Sequence, residues 1–295
     1  MKKSVFSGSA AAIVTPFSGG VIDYAVFDRL VEWHIGCGTD AIVVCGTTGE
    51  AATLGYDERM KLIERCVRKA DRRVPVIAGS GTNNTASSIA LSRAAQNAGV
   101  DALLAVTPYY NKASQNGLVS HFSAIADAVD RPVILYTVPS RTGVRCTVQT
   151  YQALSAHPNI AGVKEASDDF DLIQDTLCLC PDDFSVWSGN DGSTTAIMAL
   201  GGKGVISVAA NVVPREMHEL TQLCLADRFR EAGRLQLRLN ELIRALFCEV
   251  NPIPVKAAMA ELGLCGGDLR LPLCGISEQH LEQLRLAMER FGVTV

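Results

Sequence analysis

Short apolar runs rich in β-branched residues recur along the first three quarters of the chain, each bounded by polar or glycine-containing stretches. They fall at Ala10–Val14, Ala41–Cys45, Val74–Ala78, Ala102–Val106, Val133–Tyr136, Ile160–Val163, Phe184–Trp187 and Gly204–Val208. Each is too short for a buried helix and has the Val, Ile and Leu content of a buried strand. The runs are near-continuous rather than alternating, the pattern of parallel strands covered on both faces. Between them the period becomes helical. Asp23 opens one stretch with Phe27, Leu30, Val31 and Ile35 on one face, and Asp57-Glu58 opens another with Leu62, Ile63, Cys66 and Val67. Thr85 to Ala98 is alanine-rich and stops at Gly99. Eight β-then-α units predict an α/β protein, a (β/α)8 TIM barrel; periodicity leaves a doubly wound open sheet as the alternative. After Pro214, helices follow one another without strands, over Glu216–Ala226, Arg228–Val250, Pro254–Leu262 and Ser277–Phe291. The first completes the barrel. This divides the chain into a catalytic barrel, 1–226, and a C-terminal helical extension, 227–295.

Composition narrows the class. The 295 residues are 48% hydrophobic and 20% charged, which excludes global disorder. A chain of this length buries enough surface to need no disulfide or metal staple. The formal net charge of −4 offers little attraction to nucleic acid or to an anionic membrane surface. No apolar stretch approaches the roughly 20 residues of a membrane span. Met1-Lys2-Lys3 is basic, but the run after it lacks the apolar core of a signal peptide. The ten cysteines are scattered, and no Cys or His spacing matches a zinc site. They read as reduced, mostly buried thiols. A cytoplasmic protein without a metal is expected.

In a barrel of this kind, chemistry gathers at the C-terminal ends of the strands. Lys164 ends the run Ile160-Ala161-Gly162-Val163. Desolvation favours a neutral amine, and a neutral lysine amine attacks a carbonyl carbon to give an imine. The plainer alternative is a lysine paired with Glu165 or another carboxylate. Tyr136, Tyr110 and Thr47 could form a hydroxyl relay, since a phenol both donates and accepts; tyrosines at strand ends also simply pack. Gly46-Thr47-Thr48-Gly49 suits a carboxylate, with two hydroxyls and a run of backbone N–H groups before a helix. Arg141 offers a bidentate fork for a second carboxylate, or is an exposed loop arginine. Dinucleotide, phosphate-loop and nucleophile-elbow patterns are absent, and the five histidines form no H-x-x-x-H pair. Asp168-Asp169-Phe170-Asp171 suits a helix start better than a metal site.

Gly46-Thr47-Thr48-Gly49-Glu50, Tyr136 with Pro139-Ser140-Arg141-Thr142-Gly143, and Gly162-Val163-Lys164-Glu165-Ala166 occur in that order. Together they resemble the dihydrodipicolinate synthase family of pyruvate-dependent class I aldolases, related to N-acetylneuraminate lyase. The segment Asn251-Pro252-Ile253-Pro254-Val255-Lys256-Ala257-Ala258 is typical of the synthase branch. The resemblance implies a lyase that condenses pyruvate with L-aspartate-4-semialdehyde to 4-hydroxy-tetrahydrodipicolinate, in the diaminopimelate route to lysine. It implies no cofactor beyond a covalent imine between Lys164 and pyruvate, and a homotetramer built as a dimer of dimers. It makes Tyr136 the proton carrier, linked by Thr47 to Tyr110, which reaches the neighbouring subunit's site. Thr48 and the backbone around Ile206 would hold pyruvate's carboxylate, Arg141 the semialdehyde's carboxylate, and Gly189 would line the pocket. Thr137 and Asn190 depart from the family's usual residues. Ser87, Tyr56 and Arg59 depart from the pattern of lysine-sensitive members, so weak or absent lysine inhibition is expected. Cleavage of a sugar-derived 2-keto acid and a non-enzymatic binding barrel are the competing readings.

Overall fold

The computed structural model describes Lys2 and residues 4–293; Met1 and Lys3 of the basic N-terminus lie outside the described residues. Eight parallel strands close into a barrel, each neighbouring the next in chain order. They are β1 (Gly8–Ala12), β2 (Ala41–Val44), β3 (Val76–Gly79), β4 (Ala102–Val106), β5 (Val133–Thr137), β6 (Ile160–Glu165), β7 (Ser185–Ser188) and β8 (Gly204–Ser207). The open-sheet alternative is thereby excluded, because β1 pairs with both β2 and β8.

Strand alternation sorts side chains into two cores. Inside the barrel lie Ala10, Ala12, Ala41, Val43, Ala102, Ile134, Tyr136, Trp187 and Ile206. The small alanines leave room for Trp187, whose ring stacks on Phe6 at 5.2 Å near the N-terminal segment. Outside, Ile42, Val44, Leu103, Leu135 and Val163 pack against the helices. This double coverage is why the strands read as unbroken apolar runs.

The helices between strands include α1 (Tyr24–Gly36), α2 (Tyr56–Ala70), α3 (Thr85–Asn97), α4 (Gln115–Asp127), the single turn α5 (Pro139–Thr142), α6 (Val148–Ser155), α7 (Phe170–Leu179), α8 (Thr194–Ala199) and α9 (Pro214–Leu225). Polar caps start several of them: Asp23 accepts from the Ala25 and Val26 N–H groups, and Asp169 from Leu172. Phe27, Leu30 and Val31 of α1, and Leu62, Ile63 and Cys66 of α2, are buried along the expected stripes. Three helices follow: α10 (Phe229–Ala245), α11 (Ile253–Glu261) and α12 (Glu278–Phe291). Among the described residues, no helix is long and apolar enough to cross a membrane.

One expectation needs correction, and one element was not expected. The first strand is Gly8–Ala12 rather than Ala10–Val14. Ile13 and Val14 remain buried because they continue along the wall; Val14 donates its N–H to Asn211 Oδ1 instead of a neighbouring strand. After them an antiparallel ribbon, Phe17–Ser18 with Val21–Ile22, turns through Gly19-Gly20, both at positive φ. Two residues per arm are too few to leave a periodic signal.

The register of β6 carries consequences for chemistry. Val133 faces Ile160, but Ile134 faces Gly162, so Ala161 is an extra residue bulged out of the β5–β6 ladder. Gly162 is required there: a Cβ would lie 1.9 Å from the Ser185 carbonyl oxygen. Past this bulge, Tyr136 is level with Lys164, and Thr137 with Glu165.

Candidate active site

Lys164 follows the outward-facing Val163 and is followed by Glu165, so alternation turns its side chain into the barrel. Its side chain is buried, the residue being 5% exposed. The amine lies 4.3 Å from the centre of the Tyr136 ring, which comes from the adjacent strand at the same level. Among the described residues, no carboxylate or carbonyl is hydrogen-bonded to it.

Glu165 is not its partner. The carboxylate points into the helix layer, where it accepts from the Tyr151 phenol (2.6 Å) and the Ser167 N–H (2.9 Å). Tyr151 also stands 2.7 Å from Thr137 Oγ1. Burial raises the Glu165 carboxyl, and burial with the adjacent Glu165 charge pushes the Tyr151 phenol well up. A buried acid close enough to feel the Lys164 charge is Asp191, on the turn after β7. Its buried carboxylate accepts from Ser207 Oγ (2.5 Å) and from the Val208 and Ala209 N–H groups (both 3.1 Å). Burial raises its pKa, while those bonds and the Lys164 charge oppose the rise.

The strand ends surround a cavity of about 320 Å³. Thr47, Tyr136 and Arg141 line it, together with Glu50, Asn251 and Cys45. Cys45 is no competing nucleophile, because burial pushes its thiol up to about 12. Thr48, Lys164 and Ile206 are buried and are not among the residues that line it; Ile206 fills the barrel interior. Gly189 donates its N–H to the Glu165 carbonyl (2.7 Å). A side chain there would place its Cβ 2.6 Å from that of Ala166, so the position is closed to a larger residue; Gly189 does not line the cavity. Arg141 stands on the single turn α5, which begins with Pro139 and ends at Gly143 with φ 70°. Its guanidinium donates to the Asn251 carbonyl (3.1 Å).

Tyr110 stands apart. It is 91% exposed, on the loop after β4, with a left-handed φ of 70°. Among the described residues no hydrogen bond joins Thr47, Tyr136 and Tyr110, so a single chain does not assemble the three-hydroxyl relay.

The threonine turn is tightly built. It is bracketed by two non-glycine residues in left-handed conformations, Cys45 (φ 55°) and Glu50 (φ 53°). Each such residue costs about 1–3 kcal/mol unless its surroundings hold it. Thr15 Oγ1 donates to the Gly49 carbonyl (2.7 Å), and Asn251 Nδ2 donates to the Thr48 hydroxyl (3.0 Å). Sequence reasoning assigned no role to Asn251, which joins Thr48 and Arg141 through its side chain and its carbonyl. The available signal was the Asn-Pro step, which marks a turn rather than a helix interior.

The model of the dihydrodipicolinate synthetase family matches residues 5–290. The chain belongs to this family. A 4-hydroxy-tetrahydrodipicolinate synthase of Thermoanaerobacter sp. (strain X514) is 49% identical over 290 residues, covering 98% of each chain. The crystal structure of dihydrodipicolinate synthase from Aquifex aeolicus matches with a TM-score of 0.97 at 44% identity, covering 98% of this chain and 99% of that one. The Acinetobacter baumannii synthase, solved in complex with pyruvate, matches with a TM-score of 0.96 at 44% identity, over 97% and 99% of the two chains. Family membership makes the chain an enzyme of the class I aldolase type, on a fold those structures share.

Proposed function

We propose that the chain joins pyruvate to L-aspartate-4-semialdehyde through an imine on Lys164, giving 4-hydroxy-tetrahydrodipicolinate for the diaminopimelate route to lysine. The observation that carries the assignment is the Lys164 amine, buried on the inner wall over Tyr136 and, among the described residues, without a carboxylate bond. A lysine held in an ion pair is tied to its partner; this one is left for attack on a ketone. Loss of water gives the imine. Its protonated form is an electron sink, so a methyl proton leaves and the enamine attacks the aldehyde carbon. The semialdehyde's amine then displaces Lys164 and closes the ring.

Tyr136, on the wall beside the amine, is the proton carrier in this reading, and Thr47 lies across the same cavity. Thr48 and the backbone at Ile206 receive pyruvate's carboxylate, and Arg141 receives the semialdehyde's. The exposed Tyr110 is available to a second subunit, which supports a dimer of dimers completing each site in trans. The covalent imine is the only carrier the reaction uses. The ten free cysteines suit the reducing cytoplasm. Ser87, Tyr56 and Arg59 leave the enzyme weakly sensitive or insensitive to lysine.

The test is intact mass after incubation with pyruvate and borohydride, followed by peptide mapping. A reduced pyruvyl adduct on Lys164 is expected, with turnover on aspartate semialdehyde exceeding that on N-acetylneuraminate or 2-keto-3-deoxygluconate. Folded protein without an adduct would overturn the reading in favour of a binding barrel.

A further inference from the structure

The threonine turn is held at its end by a charged cluster, of which Glu50 alone also lines the cavity. Glu50 follows Gly46-Thr47-Thr48-Gly49, and its carboxylate is removed from solvent. One oxygen accepts from Lys256 Nζ at 2.7 Å, the other from the Arg270 N–H at 3.0 Å. Lys256, on α11, also donates to the Thr15 carbonyl (2.9 Å), and its amine lies 4.3 Å from the centre of the Phe17 ring. Arg270 covers the other part of that ring at 4.6 Å and reaches Glu58 (2.6 Å) and the Thr53 carbonyl (3.1 Å). The backbone between is equally tied: the Glu50 N–H donates to the Thr47 carbonyl at 3.0 Å.

A buried ion pair is a poor way to fill space, since apolar residues of the same volume would avoid the desolvation. What an apolar pair lacks is direction. Glu50 takes a left-handed φ, and its carboxylate, bonded at both oxygens, fixes that conformation against two fixed points of the C-terminal segment. Three residues earlier the same backbone presents Thr47 to the cavity, and two residues earlier it carries the buried Thr48. We propose that Lys256 is a positioning residue for the reaction: through Glu50 it holds the Thr47–Thr48 turn in the geometry that receives pyruvate. The C-terminal extension is then part of the catalytic apparatus of the barrel. The proposal rests on the roles given above to Thr47 and Thr48.

Two full-length variants test it, Glu50→Gln and the double variant Glu50→Gln/Lys256→Met. The first preserves volume, and the second removes both charges so that neither is left buried alone. Circular dichroism and Tm establish folding, and kcat and KM are measured separately for pyruvate and the semialdehyde. Folded variants are expected to lose about 30- to 100-fold in kcat/KM for pyruvate, the scale of a displaced contact group. KM for the semialdehyde, which engages Arg141, should move far less. Wild-type kcat/KM for pyruvate in either folded variant overturns the proposal. Equal losses for both substrates, or loss of the fold in both variants, overturn it too, by assigning the pair to stability alone. A wild-type control inactive on pyruvate would break the functional reading instead, and is read in the same assay.

Discussion

Two lysines are buried among the described residues, and their surroundings are opposites. Each amine lies 4.3 Å from the centre of an aromatic ring, Tyr136 under Lys164 and Phe17 under Lys256. Lys256 is bonded to the Glu50 carboxylate and the Thr15 carbonyl. Burial pulls its pKa down, but Glu50 opposes the pull. Lys164 has the ring and, among the described residues, no such bond. One lysine is tied to both elements it joins; the other supplies, in the reading proposed above, the amine that attacks pyruvate. Burial alone therefore does not mark a nucleophile. The decisive difference is whether a carboxylate is bonded to the amine.

The same substitution at both positions gives the sharpest contrast. Lys164→Met should abolish adduct formation and lower turnover by at least about 10⁴-fold, as loss of a covalent nucleophile does. Its Tm should not fall, because an apolar chain replaces an amine without a bonded partner. A substantial loss of Tm would show that Lys164 is structurally paired after all. Tyr136→Phe asks what the ring does without its hydroxyl. The ring under the amine is retained, so the fold should hold while turnover falls by about 10³-fold. Unchanged turnover would leave Tyr136 as packing and remove it from proton transfer.

Much of this contrast was legible before any coordinates. Lys164 stands out because it ends an apolar run, and buried parallel strands give just such runs. Which of Lys164 and Glu165 faces the barrel interior was not legible. Adjacent strand residues point to opposite faces, but the choice of face depends on register, which the Ala161 bulge shifts and Gly162 permits by letting Ser185 approach. The Lys256–Glu50 pair joins residues 206 positions apart, beyond any local pattern. The available hint was a lysine inside the otherwise apolar stretch Ile253–Ala260. Tyr110 was legible as a strand-end tyrosine, but its outward direction depends on a left-handed backbone that its residue type does not announce.

Lys256→Met should behave in the reverse manner to Lys164→Met. It strands the Glu50 carboxylate in a buried site, which costs about 3–5 kcal/mol. For a chain of this size that corresponds to a fall in Tm of about 5–8 °C, read by calorimetry or circular dichroism. A stability equal to wild type would mean that Glu50 finds water or another partner, and the contrast between the two lysines would lose its physical basis.

Glu165 supplies the smallest and most discriminating effect. Were it the counter-ion of Lys164, its native pKa would lie below the ordinary carboxylate value. Burial instead raises it above 4.5. The native state then binds its proton more tightly than the unfolded chain does. Stability contributed by this group is full below the unfolded pKa and is lost as pH rises through the native one. In Glu165→Gln that titration is gone. The amide introduces its own offset against Tyr151 and Ser167, but the offset does not vary with pH. The Tm of the variant relative to wild type should therefore move in the variant's favour as pH rises from below 4.5 toward neutrality. A difference that moves the other way would mean that the carboxylate is stabilised by a cation in the native state, and Lys164 would be the first candidate for that partner.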